Sequence, residues 1–216
     1  MKQLVIFDLD GTLLNTIDDL AVAANYALSQ CGYPTHEVSE YPHFVGNGIN
    51  KLLERALPEY KRDETEVERL RASFMPYYDA HNAVYTRPYD GIVDLLEQLS
   101  RDGVLLAVAS NKYHSATVSI IRHYFPQIDF SVVLGQRDDV PKKPHPVIVN
   151  EILERTGVRQ EDALYVGDSG VDMTTACAAE VESVGVTWGF RSESELVETG
   201  ACHIIHSADE LLKYVR

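Results

Sequence analysis

Cysteine is scarce in this chain of 216 residues: Cys31, Cys177 and Cys202 stand far apart and form no C-x-x-C pair. An odd, scattered set argues against a disulfide framework and for free thiols in a reducing compartment. No apolar run approaches the roughly 20 residues of a membrane span. The opening stretch, Met1-Lys2-Gln3-Leu4-Val5-Ile6-Phe7-Asp8, is too short in its apolar part for a signal peptide. Cations are outnumbered, 19 Lys and Arg against 33 Asp and Glu, for a formal net charge of −14. Such a surface repels nucleic acid and anionic membranes. It also repels an anionic substrate, so a phosphate site here needs a local cation or a metal. Internal repeats and low-complexity tracts are missing. With 45% apolar and 24% charged residues, the composition excludes disorder as the main state. The expectation is a cytoplasmic protein with no nucleic-acid or membrane partner, built as one large domain or a core with a small satellite. Its oligomeric state is not encoded in any visible pattern.

Short β-branched runs alternate with helix-period segments. The runs are Leu4–Phe7, Val104–Ala109, Val132–Leu134, Ala163–Val166, Val184–Val186 and Ile204–Ile205. Near-continuous apolarity suits parallel strands covered on both faces. Ile92, Leu95, Leu96 and Leu99 recur at the spacing of one helix face, and Gly103 and Gly157 end helical patterns before strands. This alternation predicts an α/β, doubly wound, mainly parallel sheet of Rossmann-like type. One long gap separates the strand at Leu4 from the next at Val104. It reads as helical: Ile17–Gln30, Asn50–Leu57 and Glu64–Ala80. Thr16 with Asp19 has the form of a capping box, and Gly32 closes that first helix. Residues 15–85 therefore read as a helical insertion.

Four segments at strand ends carry chemistry. In Asp8-Leu9-Asp10-Gly11-Thr12-Leu13, two carboxylates lie two apart, so in extended geometry both face the same way. One suits a nucleophile and the other a general acid or base; a solvated turn is the alternative. Two adjacent negative charges imply a cation. Ser110-Asn111-Lys112 follows a strand and can hold phosphate oxygens, or Ser110 is simply a helix N-cap. In Lys142-Lys143-Pro144-His145-Pro146, Lys143 sits on a rigid extended segment, as a fixed cation or a surface lysine. In Gly167-Asp168-Ser169-Gly170-Val171-Asp172, Asp172 falls in the first turn of a helix over Gly170–Ala178. There it either turns back toward Asp168 or only stabilises the helix start.

In order and placement these four segments resemble the phosphatase branch of the haloacid dehalogenase superfamily, over essentially the whole chain. The resemblance implies a catalytic core at residues 1–14 and 86–216 and a helical cap at 15–85. The cap would open for substrate and close against water. It implies that Asp8 attacks phosphorus, while Asp10 protonates the leaving oxygen and later activates water. Ser110 and the Asn111 backbone hold phosphoryl oxygens, and Lys143 offsets their charge. Mg²⁺ is held by Asp8, the Asp10 carbonyl and Asp168, with Asp172 supporting the site. The dehalogenases of that superfamily lack the second acid, so Asp10 argues against dehalogenation. The segment Phe44–Leu57 is similar to the matching cap segment of phosphoglycolate phosphatases, and makes Gly46, Asn47 and Gly48 substrate-binding candidates. Bare N–H groups there would meet an anion; a plain tight turn is the alternative. The expected reaction is Mg²⁺-dependent hydrolysis of a small phosphorylated metabolite, 2-phosphoglycolate first. A pyrophosphatase, nucleotidase, sugar phosphatase or mutase of the β-phosphoglucomutase type are rivals, as is a non-catalytic binding protein on the same scaffold.

Other residues carry less. Lys51 and Arg55 are expected to be solvated charges. His203 and His206 should point to opposite faces of a strand. Phe74–Tyr78 reads as cap core, Asp138 and Asp139 as loop surface. His114 and His145 are near enough to the motifs to approach the site.

Overall fold

The structure is a computed structural model that describes residues 1–216. In chain order the elements are β1 (Leu4–Phe7), β2 (Leu14–Asn15), α1 (Ile17–Gln30), α2 (Ile49–Ala56), α3 (Glu64–His81) and β3 (Arg87–Pro88). They continue with α4 (Ile92–Arg101), β4 (Leu105–Tyr113), α5 (His114–Tyr124), β5 (Phe130–Gln136), α6 (Val147–Thr156) and β6 (Ala163–Gly167). The last are α7 (Gly170–Ala178), β7 (Glu182–Val186), α8 (Glu193–Glu198), β8 (His203–Ile205) and α9 (Leu212–Val215). The chain divides into two compact units, one of Met1–Leu14 with Pro88–Arg216, the other Asn15–Arg87. The two crossings between them, β2 and β3, pair as a two-stranded ribbon.

The larger unit is the doubly wound α/β fold. Six strands pair in the order β5-β4-β1-β6-β7-β8, and the pairings are parallel. All four residues of β1 are fully buried, because alternate side chains enter different cores. Val5 and Phe7 pack with Ile92, Leu96 and Ile120 on one face. Leu4 and Ile6 pack with Val149, Ile152 and Tyr165 on the other. Each such aliphatic burial stabilises by roughly 1.5–3 kcal/mol. Strand order reverses at β1, which has β4 on one side and β6 on the other. Phe7 pairs with both Val108 and Val166, so β1 and β6 end at nearly the same level, while β4 continues beyond Val108 to Tyr113. Ligand sites of open α/β sheets lie in the crevice at such a switch point.

In the smaller unit α3 packs against both α1 and α2. Its buried residues include Leu20, Ala24, Leu28, Tyr41, Leu53, Leu70, Phe74 and Tyr78. Phe74 and Tyr78, both buried in this unit, stack at 5.2 Å between centroids. Tyr77 instead stacks on Tyr26 at 4.1 Å. The capping box expected at Thr16 is not formed: Thr16 is the N-cap residue without a side-chain cap bond. Asp19, buried at 3% exposure, accepts the N–H groups of Tyr85 (3.0 and 3.1 Å) and Thr86 (2.8 Å) instead. A carboxylate paired with N–H groups across the unit outcompetes a local cap. No helix of the chain is long and apolar enough to cross a membrane.

Candidate active site

β1 delivers Asp8 to the carboxyl edge of the sheet, its N–H donating to Val166 O at 2.9 Å. The chain then turns through Gly11 at φ +88°. A side chain at Gly11 would collide with the Asp168 carboxylate, so glycine lets the β1 turn lie directly against the end of β6. Thr12 Oγ1 donates to Asp168 Oδ1 at 3.3 Å and the Phe190 N–H to Asp168 Oδ2 at 2.7 Å. Asp172 sits in the first turn of α7, where Ser169 N and Oγ donate to its Oδ2 at 3.1 and 2.6 Å. It is thus both the capping partner of that helix and a member of the site.

Lys143 is the cation at the centre, its side chain 2% exposed. Its Nζ lies 2.9 Å from Asp8 Oδ1, 2.8 Å from Asp172 Oδ1, 2.9 Å from Ala109 O and 3.1 Å from the Tyr165 hydroxyl. An ammonium has three N–H bonds, so four acceptors outnumber its donors. Asp8 Oδ1 is the one left without a well-aligned hydrogen bond: it is buried and paired with Lys143 by charge. Asn111 fixes the segment that carries this lysine. Its Nδ2 donates to Lys143 O at 3.1 Å and its Oδ1 accepts the Lys143 N–H at 2.9 Å.

Asp8, Asp168 and Asp172 present carboxylate oxygens within 4.8 Å of one another, and all three are buried. One lysine cannot balance three carboxylates. Burial, then the charge of Asp172, pushes Asp8 up to about 7 despite Lys143. Burial and the charges of Asp172 and Asp8 push Asp168 well above the ordinary carboxylate range. Burial opposes the Lys143 ammonium, but Asp172 and Asp8 outweigh it and hold Lys143 well above the usual lysine value. Excess buried negative charge among oxygen donors is what a hard divalent cation relieves.

Asp8, Lys143, Asp168 and Asp172 thus come together, with Ser110 and Asn111 on the neighbouring strand. The Asp10 carboxylate does not join the buried acids; it pairs with Lys112. Ser110 is not a helix N-cap: β4 runs on to Tyr113 and α5 begins at His114. Its Oγ accepts the Lys112 N–H at 3.1 Å. Gly46, Asn47 and Gly48 belong to the other unit, where Gly46 and Gly48 have φ of +111° and +84°. Asn47 Oδ1 accepts from Arg55 Nη2 at 2.8 Å, and Arg55 Nη1 donates to Phe44 O at 2.9 Å. Arg55 is therefore not the solvated charge expected from sequence; it ties this loop to α2. Lys51 pairs with Glu54 on the helix surface. His145 is exposed and accepts the Val147 N–H, and His114 Nδ1 accepts from Gly135 N. His203 pairs with Glu182 and His206 with Thr187, apart from one another. Sequence reading missed Thr12 and Tyr165 and gave Lys112 no role, although two of them lie inside quoted motifs.

A parallel α/β sheet with an aspartate, a buried lysine and two further acids at its switch point fits a hydrolase. Residues 5–186 match the family model of the haloacid dehalogenase-like hydrolases. The phosphoglycolate phosphatase of Vibrio parahaemolyticus is 33% identical over an alignment of 218 positions, covering 99% of this chain and 96% of that protein. That of Neisseria meningitidis is 36% identical over 191 positions, 87% of this chain and 81% of that protein. A solved structure of a predicted phosphoglycolate phosphatase from Haemophilus somnus superposes with a TM-score of 0.92 at 28% identity, covering 100% of this chain and 98% of that one. The chain belongs to the haloacid dehalogenase-like hydrolase family.

Proposed function

We propose that this phosphatase hydrolyses 2-phosphoglycolate, or a similarly small phosphate monoester, through an aspartyl phosphate on Asp8. The observation that carries the reading is the Asp8 carboxylate 2.9 Å from a buried, charged Lys143 and grouped with Asp168 and Asp172. Asp8 forms the new P–O bond while the ester P–O bond breaks. The electron pair leaves on the ester oxygen, which takes a proton from Asp10. Water then attacks phosphorus, Asp10 takes its proton, and Asp8 is released as carboxylate with inorganic phosphate. Ser110 and the Asn111 backbone hold the phosphoryl oxygens, and Lys143 offsets charge on Asp8 and phosphate alike. The Asn111 side chain is spent on the Lys143 backbone, so its part is to hold the lysine in place.

The donor set fits Mg²⁺: oxygens only, carboxylate-rich and short of positive charge. Asp8, Asp168 and the Asp10 carbonyl would hold the ion. Asp172, whose oxygens already serve Lys143 and Ser169, would support that site indirectly. Bound there, the metal supplies charge neutralisation to nucleophile and phosphoryl group.

The Asn15–Arg87 unit is assigned as the cap, with Gly46, Asn47 and Gly48 as contacts for the substrate's second anionic group. Family relatives that are phosphoglycolate phosphatases support this substrate over the mutase and pyrophosphatase alternatives. The three unbridged cysteines support a reducing, cytoplasmic setting, and the net charge of −14 disfavours nucleic acid and membrane as partners.

The test is a panel of phosphate esters with and without Mg²⁺. Release of phosphate from 2-phosphoglycolate at the highest kcat/KM, dependent on Mg²⁺ and lost in D8N, is the expected result. Faster turnover of pyrophosphate or a nucleotide would overturn the substrate, as would conversion of glucose 1-phosphate to glucose 6-phosphate with little phosphate released.

A further inference from the structure

Lys112 Nζ lies 3.0 Å from each carboxylate oxygen of Asp10. The lysine side chain is 4% exposed and that of Asp10 13%. A surface loop lysine would keep its ammonium in water; this one is held in place through its backbone. Its N–H donates to Ser110 Oγ at 3.1 Å, and its C=O accepts Thr117 Oγ1 from α5 at 3.1 Å. Gly135 of β5 passes so close that a Cβ there would sit 2.5 Å from the Lys112 carbonyl oxygen. These contacts fall where the β4–β5 register breaks, between Ala109 and Tyr113. Irregular strand backbone of this kind re-aims a side chain, and here it sends Lys112 toward the end of β1.

We propose that Lys112 is the positioning residue for Asp10: its ammonium, equidistant from both oxygens, fixes the plane of the carboxyl group so that it meets the ester oxygen of the bound substrate. The proposal rests on the reading of Asp10 as proton donor to that oxygen. As the ester P–O bond breaks, its electron pair moves to oxygen and the Asp10 proton follows. An alkoxide leaving group requires that proton, whereas p-nitrophenolate departs without it. Loss of Lys112 therefore harms alkyl esters more than aryl esters, which a purely structural residue would not do.

The experiment measures kcat/KM with Mg²⁺ for p-nitrophenyl phosphate, ethyl phosphate and 2-phosphoglycolate in wild type, K112M, K112Q, K112R and D10N. Both esters of each ratio are measured in one preparation, so the fraction of folded protein cancels. The p-nitrophenyl to ethyl ratio is expected to rise about tenfold or more in K112M and K112Q. D10N should move it the same way, and K112R should restore part of the wild-type ratio. Parallel losses on both esters in K112M and K112Q, with D10N still shifting the ratio, overturn the role of Lys112 alone. So does a loss confined to 2-phosphoglycolate relative to ethyl phosphate, which would make Lys112 a reader of the substrate carboxylate. A wild-type ratio in D10N overturns the assignment of Asp10 itself, and the proposal with it.

Discussion

At Asp8, burial and the neighbouring charge of Asp172 favour the protonated carboxyl, with a pKa near 7, while attack on phosphorus requires the carboxylate. The folded state then binds this proton more tightly than the unfolded chain does. For the metal-free protein the Asp8 contribution to stability is full below the unfolded value near 3.8 and is lost as pH rises toward 7. D8N, neutral throughout, should escape that loss. In chelator its melting temperature should exceed that of wild type at pH 8, by an amount corresponding to no more than a few kcal/mol, and the gap should close by pH 4. Added Mg²⁺ should raise the wild-type melting temperature more than that of D8N. An equal gap at both pH values would show that Asp8 is not strained. Tyr165 offers a second check: its hydroxyl touches Lys143 at 3.1 Å and Asp172 at 3.1 Å. Y165F should cost about 1–2 kcal/mol in denaturant unfolding and lower kcat several-fold with little change in KM. The grouping of Asp8, Lys143 and Asp168 could be anticipated in sequence because each is polar close to the end of an apolar run or before a proline. Tyr165 could not, because an aromatic in a buried strand reads as filler. Nor could the Asn111 side chain, whose partner lies 32 residues away.

β1, β6 and β7 could be read from sequence almost to the residue because strands buried on both faces have nearly unbroken apolar strings. β4 was cut short at Ala109, since Ser110-Asn111-Lys112 looks like a loop. What extends the strand is its irregular pairing with β5, as far as Tyr113 with Gln136, which polarity does not reveal. The two-residue strands β2 and β3 carry no periodicity and were invisible. Helix α1 was placed correctly, yet Asp19 was assigned to its own cap rather than to Tyr85 and Thr86, because proximity across 66 residues leaves no local trace. D19A should leave those N–H groups unsatisfied and destabilise the Asn15–Arg87 unit by on the order of 1–3 kcal/mol. Hydrogen exchange at Tyr85 and Thr86 should quicken first. Unchanged exchange there would show the bonds to be unimportant. At the β1 turn, G11A meets both a positive φ and the Asp168 carboxylate. It should cost about 2 kcal/mol or more and weaken Mg²⁺ binding by calorimetry, whereas a variant of wild-type stability and affinity would contradict the close approach.

Across the whole molecule a charge of −14 opposes the approach of an anionic ester, while Lys143 and the proposed cation would attract it only at short range. Screening should therefore help: kcat/KM for a dianionic ester should rise as ionic strength increases from about 10 to about 100 mM, where the Debye length falls to about 10 Å. A steady fall instead would mean that the local cations govern encounter. The α/β core and its helical insertion were both visible in the pattern of the chain, since periodicity reports elements directly. What unites the site is the parallel pairing that sets β4 and β6 on either side of β1, a property of pairing rather than of any one segment. The most direct measurement is acid-quench mass spectrometry during turnover of 2-phosphoglycolate with Mg²⁺. A phosphoryl group on the peptide bearing Asp8, absent in D8N and rising to a steady level within the first turnover, is the predicted result; phosphate release at wild-type rate by D8N, or label on another residue, would contradict it.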